Sequence, residues 1–471
     1  MEKNKKWVFL VLIIFSLPCF AEDPVVTQLS KKELPRMEAP EVQTKTLPSG
    51  MKIYYLQDTE LPVLEIKTYF DFGTLYETKE TRGFIPFFFD LLKSGGFQGM
   101  TPEQIDEEIE FYASGFSADV SDEMSSFGML SLQKNAVKTL DIYFRLLKNP
   151  TFDKTRMEVI RKSVLNGIKR RNEESIPIAL REFKQSLYGK DSPHAWLFTE
   201  ETINSIVQEK FQDFYKNHIA LNRMRMAATS PLSFDEFLKL IEPYLEGLPR
   251  EALRPKRFEP VEKIWQKTTE FIHKPGNQTV MVLGHFGEKR FNEDKYKIIL
   301  VTEILGGETF GSRLGDRIRT ELGLVYNVSC QFGFGTDYGT FQIVTSTKSS
   351  TTTETLKEII RVLKTIVEEK NITEVELKFA KERILNRLIF EYESLFHVVE
   401  KEVQYDYFGY PPHYLEIFQK EIEKVSLQDI VSVLEKYFFP DKLKITLVGE
   451  KSKVPDLKTW DDLIEIPLDE E

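Results

Sequence analysis

Six histidines stand at His194, His218, His273, His285, His397 and His413, and no two are four residues apart. A helical zinc pair needs two imidazoles one turn apart, with a carboxylate on the same face to activate water, and the chain has none. The serine elbow G-x-S-x-G, the phosphate loop and the dinucleotide fingerprint G-x-G-x-x-G are also missing. Gly306-Gly307 and Gly333-x-Gly335 do not precede a helix opened by Lys-Ser/Thr, so they read as turn and hairpin glycines. Cys19 and Cys330 are too far apart for a metal knuckle and too few for a disulfide scaffold. The sequence shows no positioned acid for His194, His218, His273 or His285, which read as surface or packed side chains.

With 471 residues, 41% hydrophobic and 29% charged, the chain has ordinary globular composition and room for about two to four domains. Its net charge of -11 repels phosphate backbones and argues against nucleic acid as a partner. Residues 1–21 read as a signal peptide: lysines first, an apolar run over 7–15, then small residues before Glu22. The run is too short to span a bilayer as a helix, and no later run is long or apolar enough. An exported, periplasmic location follows; a lipid anchor through Cys19 is the less favoured alternative because Pro18 precedes it. Residues 22–41 are polar and proline-punctuated, a flexible leader.

The elements expected next fall into two similar sets. Runs at 51–56 and 63–70 look like a strand pair beside the turn at 47–50. Thr101-Pro102-Glu103-Gln104 opens a helix, 116–132 returns as a hairpin turning at Asp122-Glu123, 136–147 and 154–187 are helical, and 223–229 is a strand before a last helix. Residues 247–262 have three prolines in a charged, aperiodic stretch and read as a linker. Beyond it, strands at 267–273 and 279–285, a helix over 293–305, a hairpin over 325–347, long helices and a strand at 443–448 repeat the order. Two halves, 42–246 and 263–450, imply a duplicated α+β architecture, and 451–471 reads as an acidic, solvated tail.

Four motifs in this order resemble the pitrilysin/insulinase-type zinc metallopeptidases, including the two-subunit processing-peptidase branch. They are Leu47-Pro-Ser-Gly-Met-Lys-Ile53, Arg82-Gly83, Lys148-Asn-Pro-Thr-Phe-Asp153, and Gly311-Ser-Arg-Leu314 with Arg319-Thr-Glu-Leu-Gly-Leu-Val-Tyr326. The resemblance spans about residues 42–450 and implies two homologous halves, each a mixed or antiparallel β-sheet packed with helices, facing each other as a clam-shell. Active members carry an inverted zinc motif, H-x-x-E-H, on the first helix of the amino-terminal half. Here the matching stretch is Pro86-Phe87-Phe88-Phe89-Asp90: Pro86 stands for the first ligand, Phe89 for the water-activating glutamate, and Asp90 for the second ligand. Glu158 matches the third ligand, leaving Asp90 and Glu158 as a two-carboxylate remnant, while the phenylalanines read as core packing.

The same resemblance matches Arg319 and Tyr326 to the family's substrate and oxyanion donors, a chemistry suited to a cationic fork and a phenol. It places the substrate-strand edge at Ala118 and Asp119, where the family's usual Asn-Ala is replaced, which puts strand addition there in doubt. The implied role is a non-catalytic subunit that holds no metal or other cofactor. It would pair with a zinc-bearing chain carrying H-x-x-E-H and contribute Arg319 and Tyr326 in trans to cleavage of an extended peptide. A stand-alone peptide-binding or envelope scaffold protein is the alternative.

Overall fold

The computed structural model describes residues 36–257, 262–457, 460 and 462–468. The stretch expected to be a signal peptide, most of the expected leader and part of the expected linker therefore lie outside the described residues. Fourteen strands are present among these residues: β1 Gln43–Thr46, β2 Lys52–Gln57, β3 Val63–Phe70, β4 Gly115–Val120, β5 Ser125–Leu132, β6 Met224–Ser230, β7 Thr268–His273, β8 Gln278–Phe286, β9 Glu288–Lys289, β10 Val325–Phe332, β11 Phe334–Gly335, β12 Thr340–Lys348, β13 Lys444–Gly449 and β14 Leu463–Ile466. They form two six-stranded sheets, ordered β1-β2-β6-β3-β5-β4 and β10-β12-β8-β13-β7-β14, with β9 and β11 as a separate small pair.

Five positions of one sheet repeat in the other with the same strand senses. The parallel pair β2/β6 matches β7/β13, and the antiparallel series β6/β3/β5/β4 matches β13/β8/β12/β10. The fold is thus α+β with two homologous halves. The sixth positions differ, because β1 joins antiparallel from before β2 whereas β14 joins parallel to β7 from the carboxyl-terminal end.

Helices cover one face of each sheet with an apolar layer. Ile53, Leu64, Ile66, Phe127 and Met226 are buried in the first core, and Phe271, Met281, Leu283, Phe341 and Ile445 in the second. The opposite faces are covered by helices exchanged between the halves. Ser175–Tyr188, from the amino-terminal half, packs on β8 and β13, burying Ile178, Phe183 and Leu187 against Ile272, Val280, Val282 and Val448. Leu395–Phe408, from the carboxyl-terminal half, packs on β2 and β6 through ions: Asp406 bridges Lys52 at 2.7 Å and Arg225 at 2.8 Å, and Glu400 meets Lys67 at 3.2 Å.

Three expectations are corrected. β2 and β3 are not partners, because β6 lies between them; the loop 58–62 need cross only about 10 Å, two strand spacings. The turn at 47–50 instead closes β1 onto β2, with Gly50 at φ 86°. The helical stretch 154–187 is two helices, Lys154–Arg170 and Ser175–Tyr188, since the second leaves its own half for the other sheet. The tail is not simply solvated: Leu463–Ile466 extends the second sheet, its alternating β-branched pattern hidden by the acids around it.

Candidate functional site

The helix Phe84–Ser94 begins at Gly83, whose φ of 87° is a left-handed turn. A Cβ there would come within 2.8 Å of Phe198, so only glycine fits. The buried carboxylate of Glu77 caps the helix, accepting from the backbone N–H groups of Gly83 at 2.9 Å and Ile85 at 2.6 Å. Pro86 sits in the first turn, where its missing N–H breaks no intrahelical bond. Phe87, Phe88 and Phe89 are all buried. Phe89 lies 5.2 Å from Phe70, Phe88 4.9 Å from Phe214 and Phe87 5.3 Å from Phe211, ring centre to ring centre.

Asp90 and Glu158 lie on helices that pack together, Asp90 on Phe84–Ser94. Asp90 is half-buried on this helix, and burial raises its proton affinity. Glu158 lies on the adjoining helix Lys154–Arg170 and accepts from Arg161 at 3.0 Å. Sequence reasoning missed Arg161, although Glu and Arg three apart on a helix are a legible pair. Its guanidinium donates to the carbonyls of Ile203 and, at 2.7 Å, Ile206, and lies 5.7 Å over the ring of Phe87. The stretch matching the metal site therefore offers a proline, buried aromatics and a carboxylate already held by an arginine, and these do not fit zinc. Among the described residues no group of three His, Cys, Asp or Glu is placed to hold a metal ion.

The carboxyl-terminal half does bring Arg319 and Tyr326 together. Helical hydrogen bonding widens to π spacing over Gly315–Glu321, a form frequent at functional sites, and the chain reverses at Gly323, φ 61°, into β10. Arg319 Nε donates to the carbonyl of Tyr326 at 2.8 Å. Its guanidinium stacks 3.9 Å from the centre of Phe310 and 5.7 Å from that of Tyr326. Tyr326 is 86% exposed and Phe310 65%. Phe310, next to Gly311-Ser-Arg-Leu314, was not singled out by sequence. β10 is an edge strand whose register shifts between Val325 and Val328, a bulge that turns Tyr326 outward.

Ala118 and Asp119 lie on β4, the free edge of the first sheet, where exposed and half-buried residues alternate. Asp119 is held by Lys67 at 3.2 Å. His285 is buried and stacked 4.6 Å from Phe341, its pKa lowered to about 4 by burial; His194 lies 3.4 Å from Asp337 and His273 3.8 Å from Glu450, acids that the sequence did not show beside them.

Residues 205–384 match the family model described as "Peptidase M16 inactive domain". Over this stretch, which is under half of its length, the chain is a homologue of that domain. It is 24% identical over 408 residues to the "Non-peptidase homolog YmxG" of Helicobacter pylori, covering 85% of this chain and 92% of that protein. It is 23% identical to the mitochondrial-processing peptidase subunit alpha of Solanum tuberosum, covering 85% of this chain and 80% of the relative. The crystal structure of a peptidase M16 inactive domain from Pseudomonas fluorescens shares the fold, with a TM-score of 0.77 at 22% identity over 88% of this homologue and 99% of that chain. Among the described residues, no helix of the homologue is long and apolar enough to cross a membrane.

Proposed function

We propose that the homologue is the non-catalytic subunit of an exported, periplasmic peptidase pair, and that it presents Arg319 and Tyr326 to a peptide held at the zinc of a partner chain carrying H-x-x-E-H. The observation that carries this reading is the contrast between the halves. The amino-terminal half has Pro86, Phe89 and Asp90 at the motif positions among buried phenylalanines, and its Glu158 is held by Arg161, while the carboxyl-terminal half keeps a guanidinium and a phenol in the open. Three aromatic and cationic groups projecting beside an edge strand suit a peptide laid against β10 by main-chain bonds, with the guanidinium stabilising negative charge on a carbonyl oxygen. The name of the Solanum relative, a peptidase subunit, is consistent with such a pairing.

The test is a pull-down of the chain from its native envelope, followed by peptide hydrolysis assays of whatever complex is recovered. A stoichiometric partner with H-x-x-E-H is expected, and Arg319→Ala should lower hydrolysis by the complex about 100-fold while leaving assembly and stability unchanged. Hydrolysis unaffected by Arg319→Ala, or no zinc-bearing partner, refutes the reading. A stand-alone peptide-binding scaffold is the second reading, favoured by the name of the Helicobacter relative, a non-peptidase homolog. It requires that peptides bind the isolated chain.

A further inference from the structure

A cavity of about 480 Å³ opens where the linker meets both halves, and three guanidiniums converge on it: Arg254 and Arg257 from the linker and Arg290 from the carboxyl-terminal half. Their partners do not use all of their charge. Arg290 donates to Glu123 at 2.7 Å and stacks 3.6 Å over Phe408. Arg257 grips Asp337 through two bonds, at 3.0 and 2.6 Å, yet its buried Nε has no hydrogen-bond partner. Arg254 is bound by neutral groups: the carbonyl of Asp71 at 3.1 Å and the phenols of Tyr76 and, at 3.3 Å, Tyr407. The nearest carboxylate, that of Asp71, is 3.9 Å from Arg254 and is already clasped by Arg223 from the other side.

The local charge balance follows. Arg223, Arg254, Arg257 and Arg290 face Asp71, Glu123 and Asp337, an excess of one positive charge in a chain whose net charge is -11. Asp122 beside them is matched by Lys184 at 4.0 Å, and His194, next to Asp337, is held neutral by burial. A guanidinium fork matches a carboxylate through two parallel bonds. One unpaired positive charge is neutralised by a monoanion, whereas a phosphate would overfill it. The walls also carry aromatic rings, Tyr76 and Tyr407 beside Arg254 and Phe408 beneath Arg290.

We propose that this cavity binds the carboxylate of a monoanion with an apolar or aromatic body, taken by Arg254, and that the ligand ties the linker to both halves. The carboxylate belongs either to a free small acid or to the carboxyl terminus of a peptide. Isothermal calorimetry on the full chain uses N-acetylphenylalanine, its carboxamide, inorganic phosphate and a hexapeptide ending in phenylalanine with a free carboxyl terminus. The acid should bind saturably and its amide at least about tenfold more weakly, because the charge-assisted bonds are lost. Arg254→Gln, at a side chain 48% exposed, should weaken the acid by about tenfold as well. Glu123→Gln, which removes the carboxylate in the wall, should instead tighten it about threefold, an increase that damaged folding would not produce. Tighter binding of the hexapeptide than of the amino acid assigns the carboxylate to a chain end, and equal binding assigns it to a small acid; both sustain the site. Equal affinity for acid and amide, tighter binding of phosphate, or acid binding unchanged by Arg254→Gln overturns it.

Discussion

Replacing Arg161 tests whether the lost metal site has become a structural joint. The side chain is 10% exposed, donates to two buried carbonyls and lies over Phe87, whereas its partner Glu158 is 51% exposed. Arg161→Met keeps the apolar stem and removes the donors. Each charged hydrogen bond contributes roughly 1.5–3 kcal/mol, the ring contact about 0.5–1 kcal/mol, and the half-exposed ion pair at most about 1 kcal/mol. Allowing for relaxation of the short segment bearing Ile203 and Ile206, a loss of about 3 kcal/mol is expected. At about 2.1 cal/mol/K of unfolding entropy per residue, that lowers the thermal midpoint by about 3 °C if both halves melt together and by about 7 °C if the amino-terminal half melts alone. Differential scanning calorimetry of the variant reads this directly, with Glu158→Gln as the control, expected to shift the midpoint by at most about 1 °C if both halves melt together and about 2 °C if the amino-terminal half melts alone. An unchanged midpoint in Arg161→Met, or an equal shift in Glu158→Gln, refutes the assignment of Arg161 as the residue that closes the site.

Burial, reinforced by Glu400, raises the pKa of Glu65 to about 7. Its folded pKa thus exceeds the unfolded value, so its contribution to stability is full below about pH 4.3 and is lost as pH rises through 7; Glu65→Gln should gain on wild type at pH 8 but not at pH 4, measured by denaturant unfolding. Gly83→Ala forces a left-handed residue against Phe198 and Ile203 and should destabilise by about 1–3 kcal/mol, read as a shifted urea midpoint. The two exchanged helices should respond differently to salt: raising it from about 0.05 M to about 1 M screens the ion pairs of Leu395–Phe408 and speeds its amide exchange, while the apolar seat of Ser175–Tyr188 holds its protection. Equal responses of the two helices would refute that distinction.

Duplication was legible because each half repeats the same order of turn, hairpin and capped helix, and the capping boxes at Thr101 and Thr373 begin helices where the spacing of hydroxyl and amide or acid placed them. The insertion of β6 between β2 and β3 was not legible. Both neighbours are separated from it by more than 150 residues, and local pattern carries no information on which distant strand fills a gap. The exchange of helices was hidden for the same reason: the apolar stripe of Ser175–Tyr188 is that of any packed helix, and nothing local names the sheet it covers. That Pro86 stands where the family has its first ligand, and Phe89 where it has its glutamate, could be read from residue types alone. The closure by Arg161 could not, because its acceptors are backbone carbonyls some forty residues away, and every residue type supplies those.

The two candidate stretches, one in each half, treat their aromatic rings in opposite ways. In the first, Phe87, Phe88 and Phe89 sit within a continuous aromatic core, each ring contributing roughly 1.5–3 kcal/mol by leaving water. In the second, Phe310 and Tyr326 stay in solvent beside Arg319 and forgo that gain. A guanidinium between two rings would lose hydration if this patch folded inward without an anion to meet it, so the arrangement is stable only while the patch faces water or a ligand that supplies negative charge. A peptide carbonyl gaining charge during hydrolysis is such a ligand. The same exposure that is unfavourable for folding therefore supports the reading of Arg319 and Tyr326 as groups that act on something outside their own chain.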